Sequence, residues 1–397
     1  MNTSELQKII DWMIDGARSA VTPSQMMVEC CERLIQAGLP LWRVGVFLRT
    51  LHPDFYGINF VWKPGAEVQI GTVDFHILTS AEFNSSPIII VFQQGLEVRA
   101  HADDPASKRF PIVDDLRAEG VTDYVALPLL FMDGSINASS WTTRQPGGFT
   151  AEQLGALRAL TPALARYCEI IQSRRIASML LDTYVGNRAG ARILGGQIRR
   201  GHTETMHAAV WLSDLRGFTA LSDRLPAETV VDILNHYFDC QVTAIREHGG
   251  EVLKYMGDGL LAVFPIDEYI GDGQQVCLRV LEAARESRAS VDALHYPIGE
   301  SIERFRFGVA LHVGTILYGN IGGGSRLDFT CIGPAVNLAA RLEKIASRLH
   351  RTVVASEGFA GICSDGWSDL GEFPIAGFSK AQRVYGLVDE TRPETDH

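Results

Sequence analysis

Two acids stand where a strand gives way to a turn. Val210, Leu212 and Asp214 alternate with Trp211 and Ser213, so a buried strand delivers Asp214 at its end. Gly217, Phe218 and Thr219 then begin a helix expected over residues 217–225. Free N–H groups and the positive dipole end at a helix start suit a phosphate, and the nearby acid suits a cation. Asp258 sits between Gly257 and Gly259, with strand-like runs at 251–256 and 260–264 whose Met256, Leu260 and Ala262 suit a buried sheet, so it reads as the tip of a hairpin. Asp-Gly alone is a common turn signal, and a plain turn residue is the other reading. If the two strands are neighbours, the two carboxylates can share two divalent ions. Asn337 and Arg341, four apart on an expected helix over 336–343, share one face. An amide and a guanidinium aimed together suit a phosphate that gains charge in a transition state. An ordinary surface face is the alternative, although the small Ala339 and Ala340 beside them point to close packing.

Several elements must position these groups. An apolar strand is expected over 306–316, a glycine-rich loop over 318–322, and the run Asp328, Phe329, Thr330, Cys331 leads to the Asn337 helix. In the first half, Thr22, Pro23 and Gln25 form a helix-start signature, and Gly38 before Pro40 ends that helix. Alternation from Trp42 to Leu48 predicts a strand. Further strands are expected at 59–62, 87–92 and 124–131, with Asp133 and Gly134 turning the last into a strand near 136–142. Thr150 caps a long helix on which Leu154, Leu157, Leu160, Leu164, Cys168 and Ile171 form one apolar stripe. The stripe either packs on its own domain or pairs, in its later part, with the same helix of a second chain; Thr161 and Pro162 keep any supercoil short. Residues 176–200 read as a connector.

The chain has 397 residues, enough for two or three domains, and 46% of them are hydrophobic. A net charge of −11 argues against a nucleic-acid partner. No run approaches the roughly 20 apolar residues that span a bilayer, and the first residues do not read as a signal peptide. The expected location is cytoplasmic. Seven scattered cysteines, including the adjacent Cys30 and Cys31, read as reduced and mostly buried. His52, His76 and His101 are isolated, and the first half presents no recognisable cofactor site, so any ligand of that half is unknown.

From Thr205 to about Val388 the chain resembles the catalytic domain of class III nucleotidyl cyclases. The resemblance is carried by Ser213 to Thr219, Lys254 to Gly259 and Val336 to Arg341, in the family order and spacing. Residues 123–166 resemble the end of a GAF domain. Together these imply an α/β (α+β) chain: a GAF-like α/β sensor domain over 1–175, a connector or signalling helix over 176–202, and a ferredoxin-like cyclase catalytic domain over 203–390. The resemblance implies head-to-tail homodimers with shared sites and two Mg2+ or Mn2+ ions per site. Asp214 and Asp258 would hold the metals with help from the Leu215 carbonyl. Lys254 and Thr330 would recognise the base, Thr330 standing where many members have Asp. Asn337 would orient the ribose and Arg341 would stabilise the α-phosphate. A lysine donor and a threonine oxygen complement adenine, whereas guanylyl cyclases carry an acid and a small residue there. The implied reaction is ATP to 3′,5′-cyclic AMP and pyrophosphate, regulated by the first half. A guanylyl cyclase and a catalytically silent nucleotide-binding module are the alternatives.

Overall fold

The computed structural model describes residues 3–53, 55–267, 272–298, 301–324, 326–363 and 366–390. The chain divides into two compact units, Met1–Leu180 and Leu181–His397.

The first unit runs α1 (Thr3–Ile14), α2 (Pro23–Gln36), β1 (Arg43–Arg49), β2 (Gly57–Trp62), β3 (Gln69–Val73), α3 (Ala81–Asn84), α4 (Pro87–Gln94), β4 (Val98–His101), α5 (Pro111–Ala118), β5 (Asp123–Leu130), β6 (Ile136–Thr143) and α6 (Ala151–Val185), the last crossing into the second unit. Its sheet is antiparallel in the order β3-β2-β1-β6-β5-β4. Both faces are covered. Val125, Leu127 and Leu129 pack with α1, α2 and α6. Tyr124 and Ala126 pack with α4 and α5. Thr22 and Gln25 close a capping box on α2, and Thr150 and Gln153 close one on α6. The stripe on α6 packs on its own unit, with Leu154, Leu157, Leu160, Leu164 and Cys168 buried. Pro162 lies inside this helix without ending it.

One expected strand is a helix. Residues 87–92 form α4, because Ser86 accepts from the Ile88 N–H, Pro87 opens the first turn and Gly95 ends the helix at φ 66°. A short apolar run buried on most sides has no period that separates strand from helix.

The second unit runs α7 (Asn187–Leu194), β7 (Thr203–Leu215), α8 (Phe218–Arg224), α9 (Ala227–Glu247), β8 (Glu251–Met256), β9 (Gly259–Pro265), α10 (Gly273–Ala293), β10 (His295–Ile298), β11 (Ser301–Arg304), β12 (Phe307–Gly323), β13 (Arg326–Ile332), α11 (Pro334–Arg348), β14 (Val353–Ser356), α12 (Glu357–Ile362), β15 (Trp367–Phe373) and β16 (Gln382–Leu387). The main sheet follows β15-β16-β14-β12-β7-β9-β8, with β13 paired to β12. Its core, β12-β7-β9-β8, takes the strands of a βαββαβ unit in the order fourth, first, third, second, which is the ferredoxin-like arrangement. β7 is buried on both faces. Trp211 and Leu215 join the core with α9, α10 and α12. Val210 and Leu212 join the core with α7 and α11.

Two further differences from expectation appear here. Residues 318–322 are not a loop: β12 continues through them to Gly323 and returns as β13, with Gly319 opposite Thr330. Met256, expected inside, is 42% exposed, whereas Leu260 and Ala262 are buried. Residues 187–194 form α7, and Ala189 is fully buried in the second unit's core.

All seven cysteines are free; Cys240 is half-buried and the others are buried. Cys30 and Cys31 lie inside the α2 core, where burial pushes the Cys30 thiol up to about 12. Among the described residues, no helix is long and apolar enough to cross a membrane.

Candidate active site

Antiparallel pairing places Asp214 opposite Gly259 on β9 and opposite Gly308 on β12. Gly257 and Asp258 make the two-residue turn between β8 and β9, and Gly257 takes φ 68°, which glycine adopts without strain. Asp258 thus precedes the residue that faces Asp214, and the two carboxylates meet at one end of the sheet. Burial, then the charge of Asp258, then that of Glu343 push the Asp214 carboxyl up to about 7. A hydrogen bond with Asp258 acts in the same direction, and Arg216 opposes it. Crowded, partly desolvated carboxylates of this kind favour a hard divalent cation as their counter-charge. Among the described residues no group of three or more His, Cys, Asp and Glu side chains is arranged to hold a metal. The pair would need further oxygens, such as the Leu215 carbonyl and the substrate phosphates, to complete a coordination shell.

Behind Asp214 lies an ion pair that sequence reasoning missed. Arg216 Nη1 donates to Glu343 Oε1 at 2.6 Å, linking the end of β7 to α11. The Glu343 side chain is only 7% exposed, so the guanidinium supplies its charge partner. Gly308 makes room: a Cβ built there would lie 1.6 Å from Arg216 Nη2. That Nη2 is buried with no hydrogen-bond partner among the described residues. The two charges are 127 positions apart in sequence, and no local pattern joins them.

Gly217 starts α8 in the left-handed region at φ 73°, with no side-chain cap on the helix. Thr219 is exposed and Phe218 is half-buried.

Lys254 lies on β8 and Thr330 on β13. The Lys254 ammonium is ion-paired with Asp328, two residues before Thr330 on β13. Period-two spacing puts Asp328 and Thr330 on one face of β13. Asp328 is therefore a second missed partner, and its spacing from Thr330 was the available signal.

Asn337 and Arg341 are exposed on α11, and among the described residues neither side chain makes a hydrogen bond or ion pair. The other sides of the helix are buried: Ala335 and Ala339 enter one core, and Leu338, Leu342 and Ile345 another. The charges that act most strongly on Asp214 are Asp258, Glu343 and Arg216, not Arg341 or Lys254. The fold thus brings Asp214 to Asp258 and links Lys254 to the Thr330 strand. Asn337 and Arg341 are left facing outward.

A ferredoxin-like unit with paired carboxylates at one strand end is an arrangement that can hold divalent cations against a phosphate. Residues 202–359 match the adenylate and guanylate cyclase catalytic domain. An adenylate cyclase of Anabaena cylindrica is 31% identical over 165 residues, which cover 40% of this chain and 31% of the relative. The chain spans about a third or less of the length of the curated relatives it matches first. Among solved structures, an adenylyl cyclase from P. aeruginosa is similar at 26% identity and a TM-score of 0.41, covering 48% of this chain and 98% of that one. A guanylyl cyclase is similar at 25% identity and a TM-score of 0.38, covering 50% and 98%.

Proposed function

We propose that the chain is an adenylyl cyclase that works in the cytoplasm as a homodimer and is regulated by its first unit. The observation that carries this reading is the meeting of Asp214 and Asp258 at the sheet end, with Asp214 pushed up to about 7. Two Mg2+ or Mn2+ ions held by Asp214, Asp258 and the Leu215 carbonyl would neutralise triphosphate charge and acidify the ribose 3′-hydroxyl. The backbone N–H groups of Gly217, Phe218 and Thr219 face the phosphates. Lys254 donates to a ring nitrogen of adenine, and the Thr330 oxygen accepts from its exocyclic amine. Asp328 holds the lysine extended for this contact. Asn337 orients the ribose, and Arg341 donates to the α-phosphate as charge builds. The ribose 3′-hydroxyl gives up its proton to water, its oxygen bonds to the α-phosphorus, the bond to pyrophosphate breaks, and 3′,5′-cyclic AMP forms. The outward, unpaired Asn337 and Arg341 support a site completed by a second chain. Exposed Tyr255 and Met256 beside Lys254 support the same reading, as apolar surface for a partner.

Purified protein with manganese and ATP should yield cyclic AMP, detected by chromatography, with ATP preferred to GTP. Asp214→Ala and Arg341→Ala should each be inactive or nearly so, the second losing roughly 100-fold or more in kcat. Mixed together they should recover activity, because one of the two shared sites is then intact. Absence of cyclic AMP under all metal conditions would refute the enzyme reading. Two inactive chains that stay inactive on mixing would refute the shared site.

A further inference from the structure

The first unit does not close completely on itself. Between α2, α6 and the sheet lies a cavity of about 280 Å3, walled by Met27, Cys31, Val46, Phe60, Trp141 and Leu164. A cavity of about 150 Å3 holds benzene, so this one accommodates roughly a dozen non-hydrogen atoms. Its polar residues gather at one end. Thr50 follows β1, and the Gln172 amide of α6 donates to the Arg49 carbonyl beside it. Arg175 stands one turn beyond Gln172. Among the described residues no Asp or Glu lines the cavity. Among the described residues Arg175 has no ion-pair partner. The chamber therefore offers apolar walls and, at its mouth, one uncompensated positive charge.

We propose that this cavity binds a small anionic amphiphile, an aliphatic carboxylate whose chain fills the chamber and whose head group meets Arg175. Apolar burial supplies the main attraction, and the guanidinium fork takes the carboxylate. The Thr50 hydroxyl donates a second hydrogen bond. The Gln172 Oε1 is enclosed and has no partner among the described residues, and it repels any acceptor placed deeper. The charge is thereby kept at the mouth. Binding is non-covalent: burial pushes the Cys30 and Cys168 thiols, both in the cavity wall, up to about 12, so neither supplies a thiolate near neutrality.

The test is titration calorimetry of the full chain with decanoate, and separately with decanol. Decanoate, with about a dozen non-hydrogen atoms, should bind, and decanol should bind at least about tenfold more weakly. Arg175→Gln, at an exposed position that cannot disturb the core, should weaken decanoate by about tenfold and leave decanol unchanged. Ile171→Trp, which fills the cavity from its half-buried rim, should abolish binding of both. No decanoate binding up to about 1 mM, which corresponds to only about 4 kcal/mol, overturns the proposal. So does equal binding of decanol, or unchanged decanoate binding in Arg175→Gln. These outcomes do not depend on whether the second unit is a cyclase.

Discussion

Asp214→Asn separates the cost of the carboxylate pair from its use. The side chain keeps its shape and loses its charge. The folded protein holds the Asp214 proton up to about pH 7, against an ordinary 3.8. Because the folded value is the higher one, the stability linked to this proton is complete below about pH 4 and is lost as pH rises through about 7. Ionising Asp214 in place thus opposes folding by roughly 4 kcal/mol at the ceiling. Its partial exposure lowers this to about 2 kcal/mol. For a unit the size of Leu181–His397, each kcal/mol moves Tm by about 2–4 °C. At pH 8 without metal, Asp214→Asn should therefore melt about 4–8 °C above the parent in the second unit's transition. At pH 5 most of that gap should disappear. Manganese should raise the parent's Tm, because metal binds the folded state, and should raise the variant's far less. Turnover should be lost, since a proposed metal-binding carboxylate is gone. Scanning calorimetry of the full chain at both pH values, with and without manganese, reads all of these. A variant less stable than the parent at pH 8 without metal, or a gap independent of pH, would refute the reasoning.

The other predictions concern the framework and the base. Gly308→Ala puts a carbon into the space of Arg216 Nη2 and should push the guanidinium off Glu343. Leaving that buried acid unpaired should cost about 3–5 kcal/mol in urea unfolding, and Arg216→Met with Glu343→Leu should recover most of it; an unaffected Gly308→Ala protein would show that the pair carries no such load. Lys254→Glu combined with Thr330→Gly should lower the ATP-to-GTP ratio of kcat/KM by at least about tenfold. An unchanged ratio would mean that the base is read elsewhere.

How much of this was legible in the sequence depended on range and on period. Asp214 and Asp258 were legible because each ends a strand at a turn, and hairpin registry then brings adjacent strand ends together. Asn337 and Arg341 were legible because helix spacing fixes a shared face whatever the rest of the chain does. Residues 87–92 were misread because a short, continuous apolar run carries no period that separates strand from helix. Residues 318–322 were misread because glycines suggest a loop. In β12 they instead allow close approach of backbone: a Cβ at Gly319 would lie 2.2 Å from the His202 carbonyl oxygen, and one at Gly322 would lie 2.3 Å from that of Arg326. The pair Arg216–Glu343 could not be read at all, since it joins positions 127 apart; the pair Lys254–Asp328 joins positions 74 apart, and only the spacing of Asp328 from Thr330 pointed to it. They matter for the chemistry because each tethers a group that the sequence did reveal. Arg216 ties the Asp214 strand to the helix that bears Asn337 and Arg341. In the proposed head-to-tail dimer that helix would serve the partner's carboxylates, so the buried pair would physically join the two sites. A disturbance at one Asp214 would then be felt at the Arg341 of the other site, a coupling that strand ends and helix faces alone do not supply.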